Sequence, residues 1–566
     1  MRFINYCVLL ATLLLTCNSC KNAEEVMEQR FLASGTTMTV LYSLDEGGES
    51  LSPAGEFLRG SSVEACVSRI EEFGDVEYVK VQLDGKVLYA TPESLVQTLQ
   101  EVVKEQNVWV RTPATILADT ERSTIAGFAD KNSKLTVLGF DSLKADGTVV
   151  TYHVRLGDVE GYVYGKYTVF TPEGAALRYK AEEQDPIHSK VRNSFGGGEA
   201  IGCDFYPVEK PSFENNPMPK ACYSLYLNNG THILKNIESY IALAKESKIN
   251  TFVIDIKDNE CPGYKADAMK EYSPTNYNRA GDKEDLYRNV VKRLHEEGFY
   301  VVGRITCFKD SYFVQDNPQC AITEKATGTP FKHNKAFWPS AYDRRVWEFN
   351  VALAKEAVEK FGFNEINFDY VRFPDRMTRV EDLVDYHNKY GESKVQAIQR
   401  FVQYACDALH KVGAYVSVDV FGECANAGYT TAYGQYWPAL SNVADVMCGM
   451  PYPDHFSDGY YGIRKPWNHP YQLLKAWGIR VQSHQALTPT PAVVRTWIQA
   501  YNVMKHVDPE GIAYDSENVM KEIQGLYDAD LTGGYITWLS SSNIAKYRQQ
   551  LGAYNIDYYD QWLNRQ

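Results

Sequence analysis

The chain has 566 residues, 44% hydrophobic and 23% charged, which suits two or three globular domains and excludes a disordered or largely membrane-embedded protein. Its formal net charge of -14, with no Lys/Arg-rich block, excludes the basic surface that a nucleic-acid partner requires. Aromatic content is 13%, and such rings stack on sugar faces as well as fill cores, so the composition leans toward carbohydrate without fixing it.

The N-terminus reads as an export signal. Arg2 supplies the positive start, and residues 8–15 form an apolar run too short to span a bilayer. Asn18-Ser19-Cys20 resembles a bacterial lipoprotein processing site, which implies a lipid on Cys20, a membrane anchor at the cell envelope, and residues 21–25 as a polar tether. No later stretch is apolar enough for a transmembrane helix. The cysteines from Cys66 to Cys448 contain no Cys-x-x-Cys pair, so buried thiols with at most one or two bridges are expected, and no metal or other cofactor.

Short alternating segments follow. They predict strands at residues 38–42, 76–83 and 87–90, the last two joined by Asp84-Gly85. A second run predicts strands at residues 109–111, 134–139, 151–156 and 161–164, and the two endings align as an internal repeat. This pair is similar to tandem bacterial SH3-like domains, at residues 30–100 and 101–178. The resemblance implies a cell-wall peptide or glycan as a partner, or a spacer. Residues 179–219, with Phe195-Gly196-Gly197-Gly198, read as a linker to a domain at residues 220–566.

From there strand and helix patterns alternate. Strands are predicted at residues 223–227, 251–256, 300–307, 365–371, 415–420, 446–450, 480–483 and 535–538, most of them separated by helical patterns. Eight such strands point to the α/β class and a parallel (β/α)8 barrel, the TIM barrel. Gly298, Gly362, Gly413 and Gly478 read as helix C-caps just ahead of strands. Strand-to-helix connections are long instead, at residues 257–283, 308–343 and 373–394. The long loops mark the carboxyl ends of the strands as the working face.

Those strand ends carry Asp255, Lys257 and Asp258, then Arg304, then Asp369 and Arg372, then Asp419 and Glu423, then Tyr452, Asp454 and His455, then Gln482 and His484, and last Trp538. An acidic, aromatic-rimmed cup suits glycoside hydrolysis, in which one carboxylate attacks or stabilises an oxocarbenium-like centre while another protonates the leaving oxygen. Asp369 and Asp419 fall on adjacent strands, about 4.8 Å apart, and can approach the ~5 to 5.5 Å of a retaining pair. Asp369 is the expected nucleophile, with Asp419 or Glu423 as acid/base and Asp419 slightly ahead. Tyr370, Trp338, Tyr452, Trp467 and Trp538 are candidate sugar platforms, each open to a packing role instead. Asp255, Lys257 and Asp258 equally suit a salt-bridge cluster, and His455 and His484 lack metal-ligand spacing.

Three runs carry a family resemblance: residues 253–258 (VIDIKD), residues 303–310 (GRITCFKD) and residues 366–374 (INFDYVRFP). Residues 223–541 resemble the putative glycosyl hydrolase family of TIM-barrel type. Its relation to α-amylase-like barrels implies a nucleophile on the fourth strand, matching Asp369, and an acid on the fifth. Those barrels carry an Arg two residues before the nucleophile. Asn367 stands there in this chain, so Arg304 or Arg372 would have to orient the carboxylate. A carbohydrate substrate follows from the resemblance. A non-catalytic glycan-binding protein with a degenerate barrel is the alternative.

Overall fold

The computed structural model describes residues 25–179, 191–193, 196–198, 200, 202–426 and 431–566. The export segment with Cys20 lies outside the described residues, as does part of the linker around Phe195. The chain divides into two compact units. One takes Met1–Trp109, Lys134–Gly157 and Tyr164–Pro172, and the other takes Val110–Ser133, Asp158–Val163 and Glu173–Gln566.

In the first unit, an antiparallel sheet orders its main strands as Leu51–Leu58, Met38–Leu44, Lys86–Ala90, Val76–Leu83, Ser62–Cys66, Met27–Leu32 and Leu95–Val96. Alternation turns Leu41, Val63, Val81 and Leu88 onto one buried face. The predicted Asp84-Gly85 turn is present with φ of 52° and 75°, the left-handed pair that a two-residue hairpin needs. Lys134–Phe140 pairs antiparallel with Thr151–Leu156 in the same unit. The Arg59 guanidinium is buried beside Glu105 at 2.8 Å.

The second unit holds the antiparallel pair Ala114–Asp119 and Thr124–Ala129, and a parallel barrel. We label its strands β1 (Cys222–Leu227), β2 (Thr251–Asp258), β3 (Tyr300–Thr306), β4 (Glu365–Asp369), β5 (Tyr415–Phe421), β6 (Val446–Met450), β7 (Val493–Val494 with Thr496–Gln499) and β8 (Gly534–Trp538). The TIM barrel is the fold expected from the sequence. Helices such as Glu284–Glu296, Arg344–Phe361 and Lys394–Lys411 supply the crossovers. Ring closure falls on β7. Its first segment pairs with β6 and its second with β8, and the Arg495 amide between them donates to the Met447 carbonyl at 2.9 Å.

Here the structure corrects the sequence reading. Residues 480–483 are not a strand: they lie inside the helix Pro470–Gln485. Leu473, Leu474, Trp477 and Val481 recur at helical spacing and are all buried, so packing carries the helix through Gly478. Gly478 is no cap. A Cβ there would come within 2.6 Å of the Ala529 Cβ, so its bareness serves close packing. Gly298, Gly362 and Gly413 do take positive φ, of 81°, 83° and 74°, as expected of caps.

Candidate functional site

Strand alternation decides which side chains enter the barrel. On β4 these are Glu365, Asn367 and Asp369, all buried, at three successive depths. Glu365 lies deepest and pairs with Arg495 at 2.7 Å, both side chains fully buried. Asn367, in the middle, donates to Ser417 Oγ at 3.1 Å and Asp419 Oδ1 at 2.9 Å. Asp369, at the carboxyl end, reaches a cavity of about 620 Å³.

Arg304 on β3 organises this end. Its Nη1 donates to Asp255 Oδ1 at 2.7 Å and to Asp258 Oδ1 at 3.3 Å, while Nη2 donates to Asp369 Oδ2. Burial alone would lower its pKa, but Asp255, Asp369 and Asp258 hold the guanidinium well above its usual value. Asp255 also accepts from the Tyr226 hydroxyl, and burial pushes its carboxyl up to about 6 against the pull of Arg304. One cation thus aligns the Asp369 carboxylate, the task for which Arg304 or Arg372 stood as candidates. Tyr370, just after it, sits at φ 52°, a costly conformation for an aromatic residue. That twist brings the Tyr370 amide to 2.5 Å from Asp369 Oδ1.

The two acids of the fifth strand part company. Asp419 is fully buried below the cavity, and its Oδ1 accepts from Asn367 and from the Trp497 indole at 2.6 Å. Its Oδ2 has no hydrogen bond and lies 3.8 Å from the equally unbonded Arg304 Nε. Burial first, and then the Asp369 charge, push its pKa well above the carboxylate range. Glu423, on the turn Gly422–Ala425 after β5, lines the cavity instead. Its carboxyl has no side-chain partner among the described residues, and burial raises its pKa.

Of the remaining candidates, Asp258, Arg304, Tyr370, Arg372, Tyr452, His455 and Trp538 line the cavity. Seven others do not, beyond Asp419. Gln482 lies on the helix Pro470–Gln485 and donates to the Asp530 carbonyl at 2.7 Å. Asp255 stands behind Arg304, as above. Lys257 leaves the barrel at a register shift between Asp255 and Lys257, and pairs with Asp310 at 2.9 Å beneath the Phe349 ring. Trp338 is buried in a loop cluster with Ile322 and Met377. Asp454 is buried, accepting from the Tyr501 hydroxyl at 2.7 Å and bonded to His455 Nδ1 at 2.9 Å. His484 is buried on the helix Pro470–Gln485, and its Nε2 meets the Ala425 carbonyl at 3.1 Å. Trp467 is buried and donates to Asp508 at 3.0 Å.

Sequence reasoning missed Asp375, Arg376, Phe421, Tyr433, Phe456, Tyr460 and Trp497 in the cavity wall. The signal for Trp497 was the run 495–499, displaced by the misplaced seventh strand; Phe421 is the last residue of β5, and the others sit on loops without periodicity. No two of the nine described cysteines are joined to each other, and of the nine only Cys261 is exposed. Among the described residues, one trio groups metal-type ligand atoms within 4.8 Å of one another: Cys406, His410 and Asp445. It lies at the amino end of β5 and β6, away from the cavity, with His410 already bonded to Asp445 at 2.8 Å.

The chain belongs to the family described as "Putative glycosyl hydrolase domain", whose model matches residues 224–544. Among solved structures, it is similar to a hypothetical protein from Ruminiclostridium thermocellum ATCC 27405, at 32% identity over 35% of this chain and 97% of that one, with a TM-score of 0.30. It is similar as well to the PgaB (BpsB) glycoside hydrolase domain from Bordetella bronchiseptica, at 12% identity over 58% and 95% of the two chains, with a TM-score of 0.41. A third is the Group II chitinase catalytic domain 2 of Ostrinia furnacalis, at 11% identity over 61% and 97%, with a TM-score of 0.36. No curated protein matches the chain.

Proposed function

With that family membership as the premise, we propose that the chain is a glycoside hydrolase with a two-carboxylate retaining mechanism, Asp369 acting as nucleophile and Glu423 as acid/base. The observation that carries this reading is the division of labour among the three candidate acids. Asp369 opens to the cavity with its carboxylate held by a guanidinium, Glu423 opens to it without a side-chain partner among the described residues, and Asp419 is sealed below. A nucleophile needs its oxygens aimed at the reacting carbon, and the contact with Arg304 holds the Asp369 carboxyl in place. An acid must hold a proton until it is needed, and burial of Glu423 favours the protonated form.

In the first step Asp369 Oδ attacks the anomeric carbon as the bond to the leaving oxygen breaks, and Glu423 passes its proton to that oxygen. The resulting ester is opened by water, which gives a proton back to Glu423 and restores both carboxyls. Arg304 takes no proton; it orients Asp369. Trp538 and Tyr452 line the same space as sugar-stacking faces. The preceding signal and Cys20 support an exported, lipid-anchored enzyme of the cell envelope, acting on a polysaccharide or cell-wall glycan.

The test pairs Glu423→Gln with aryl glycosides of differing leaving groups. The variant is expected to keep glycosylation from an activated phenolate and to lose it, by about 10²- to 10⁴-fold, from a poor leaving group. Equal losses on both substrates, or none, would remove Glu423 from the acid's role.

A further inference from the structure

Beside Asp369 the cavity has a second cation with a different environment from Arg304. Arg372 is 8% exposed and lines the cavity. Its guanidinium lies 4.5 Å from the Phe421 ring centroid, 5.0 Å from Tyr370 and 5.1 Å from Trp338. Its polar partners among the described residues are the Phe373 carbonyl at 3.1 Å and Asp375 Oδ1 at 3.5 Å, both reached from Nη1. Nε and Nη2 have none there. Asp375 is itself shared, since Arg376 Nε lies 3.8 Å from its other oxygen. Asp375 therefore offers Arg372 one long contact, and Asp369 adds only a charge acting at a distance.

The idle donors are not sealed from the cavity, so an anion arriving there can take the place of water on them. The planar fork suits a carboxylate, bound through two parallel hydrogen bonds. Three aromatic faces exclude water around it and strengthen the attraction. They also give Trp338 a role: it backs the arginine rather than a sugar. Burial draws the Arg372 pKa down, in keeping with a charge that lacks a full partner.

We propose that Arg372 is a specificity-determining residue that binds a carboxylate on the sugar next to the cleaved bond, so that the substrate is an acidic, uronate-type glycan. This rests on the hydrolase reading for the cleavage but not for the binding. Glu423→Gln protein is therefore titrated with oligosaccharides of polygalacturonate, alginate and hyaluronan and with their carboxyl-reduced, neutral counterparts, while the unaltered protein is assayed for release from both sets. The expected result is at least tenfold tighter binding of one acidic oligosaccharide than of its reduced twin, a preference lost in Arg372→Gln and weakened by salt. Asp375→Asn removes the competing carboxylate and should tighten acidic binding at least threefold. It decides the matter if Arg372→Gln fails to fold. Equal binding of the reduced twins, no binding of any probe, binding of sulfated dextran oligosaccharides alone, or an unchanged Asp375→Asn would each overturn the inference. Acidic preference without release from any glycan would sink the hydrolase reading and leave this one standing; release without preference would do the reverse.

Discussion

The two ends of β4 hold the same chemistry in opposite circumstances. At the amino end Glu365 meets Arg495 with both side chains fully buried, and the Tyr300 hydroxyl adds a bond at 3.1 Å. At the carboxyl end Asp369 meets Arg304, also an acid on a guanidinium, but the pair opens to the cavity beside a backbone held at φ 52°. An ion pair in a barrel therefore says little about function by itself. What separates the two is access to solvent space and local strain, the features expected where structure is given over to binding.

The sharpest way to break this contrast is to neutralise each acid in turn. Asp369→Asn should lower kcat/KM by about 10³- to 10⁴-fold, with a melting temperature close to that of the unaltered protein. Glu365→Gln should do the opposite, costing about 3–5 kcal/mol by leaving Arg495 buried without its counter-charge, while kcat per folded molecule holds. A large activity loss from both would erase the distinction between the two ends. Next in size is a pH effect. The Glu423 pKa is raised, and an acid works only while protonated, so kcat should fall as pH climbs through that raised value. Glu423→Gln should abolish this alkaline limb in a pH–rate profile.

The smallest effect concerns Asp419, which lies between the two ends in depth. Its folded pKa is raised, so the folded chain holds a proton that the unfolded chain releases near pH 4. The stability it contributes is present below that pH and is lost as pH rises toward the raised value. Asp419→Asn keeps an acceptor for Asn367 and Trp497, so denaturant titrations should show a change within about 1 kcal/mol. The variant should be no less stable at neutral pH, with a flatter pH dependence. A loss of several kcal/mol would mean that Asp419 is ionised and paired with Arg304 after all.

Seven of the eight barrel strands were legible because each is a short apolar run between turn or helix signals, and β4 announced its end with Asp369 and Pro374. The seventh was hidden by Gly478, which looks like a cap in sequence and becomes a packing residue only when Ala529 is brought against it. Depth was harder to read than direction. Alternation aims Ser417 and Asp419 inward, yet whether an inward acid meets solvent depends on Trp497, which comes from β7 to cover Asp419. Lys257 illustrates a further limit, since one bulge reverses the side to which a residue points. The guanidinium cage around Arg372 draws on Trp338 and Phe421, both distant in sequence, and no local pattern encodes that meeting.

The break in β7 makes the ring a clasped ribbon rather than a continuous hoop. One half of that strand holds only to β6 and the other only to β8, so Arg495 works as the buckle, its amide joined to Met447 and its side chain to Glu365 across the lumen. Loosening should start at this fastening, with the amides of residues 493–499 exchanging hydrogen for deuterium sooner than those of β3 or β5.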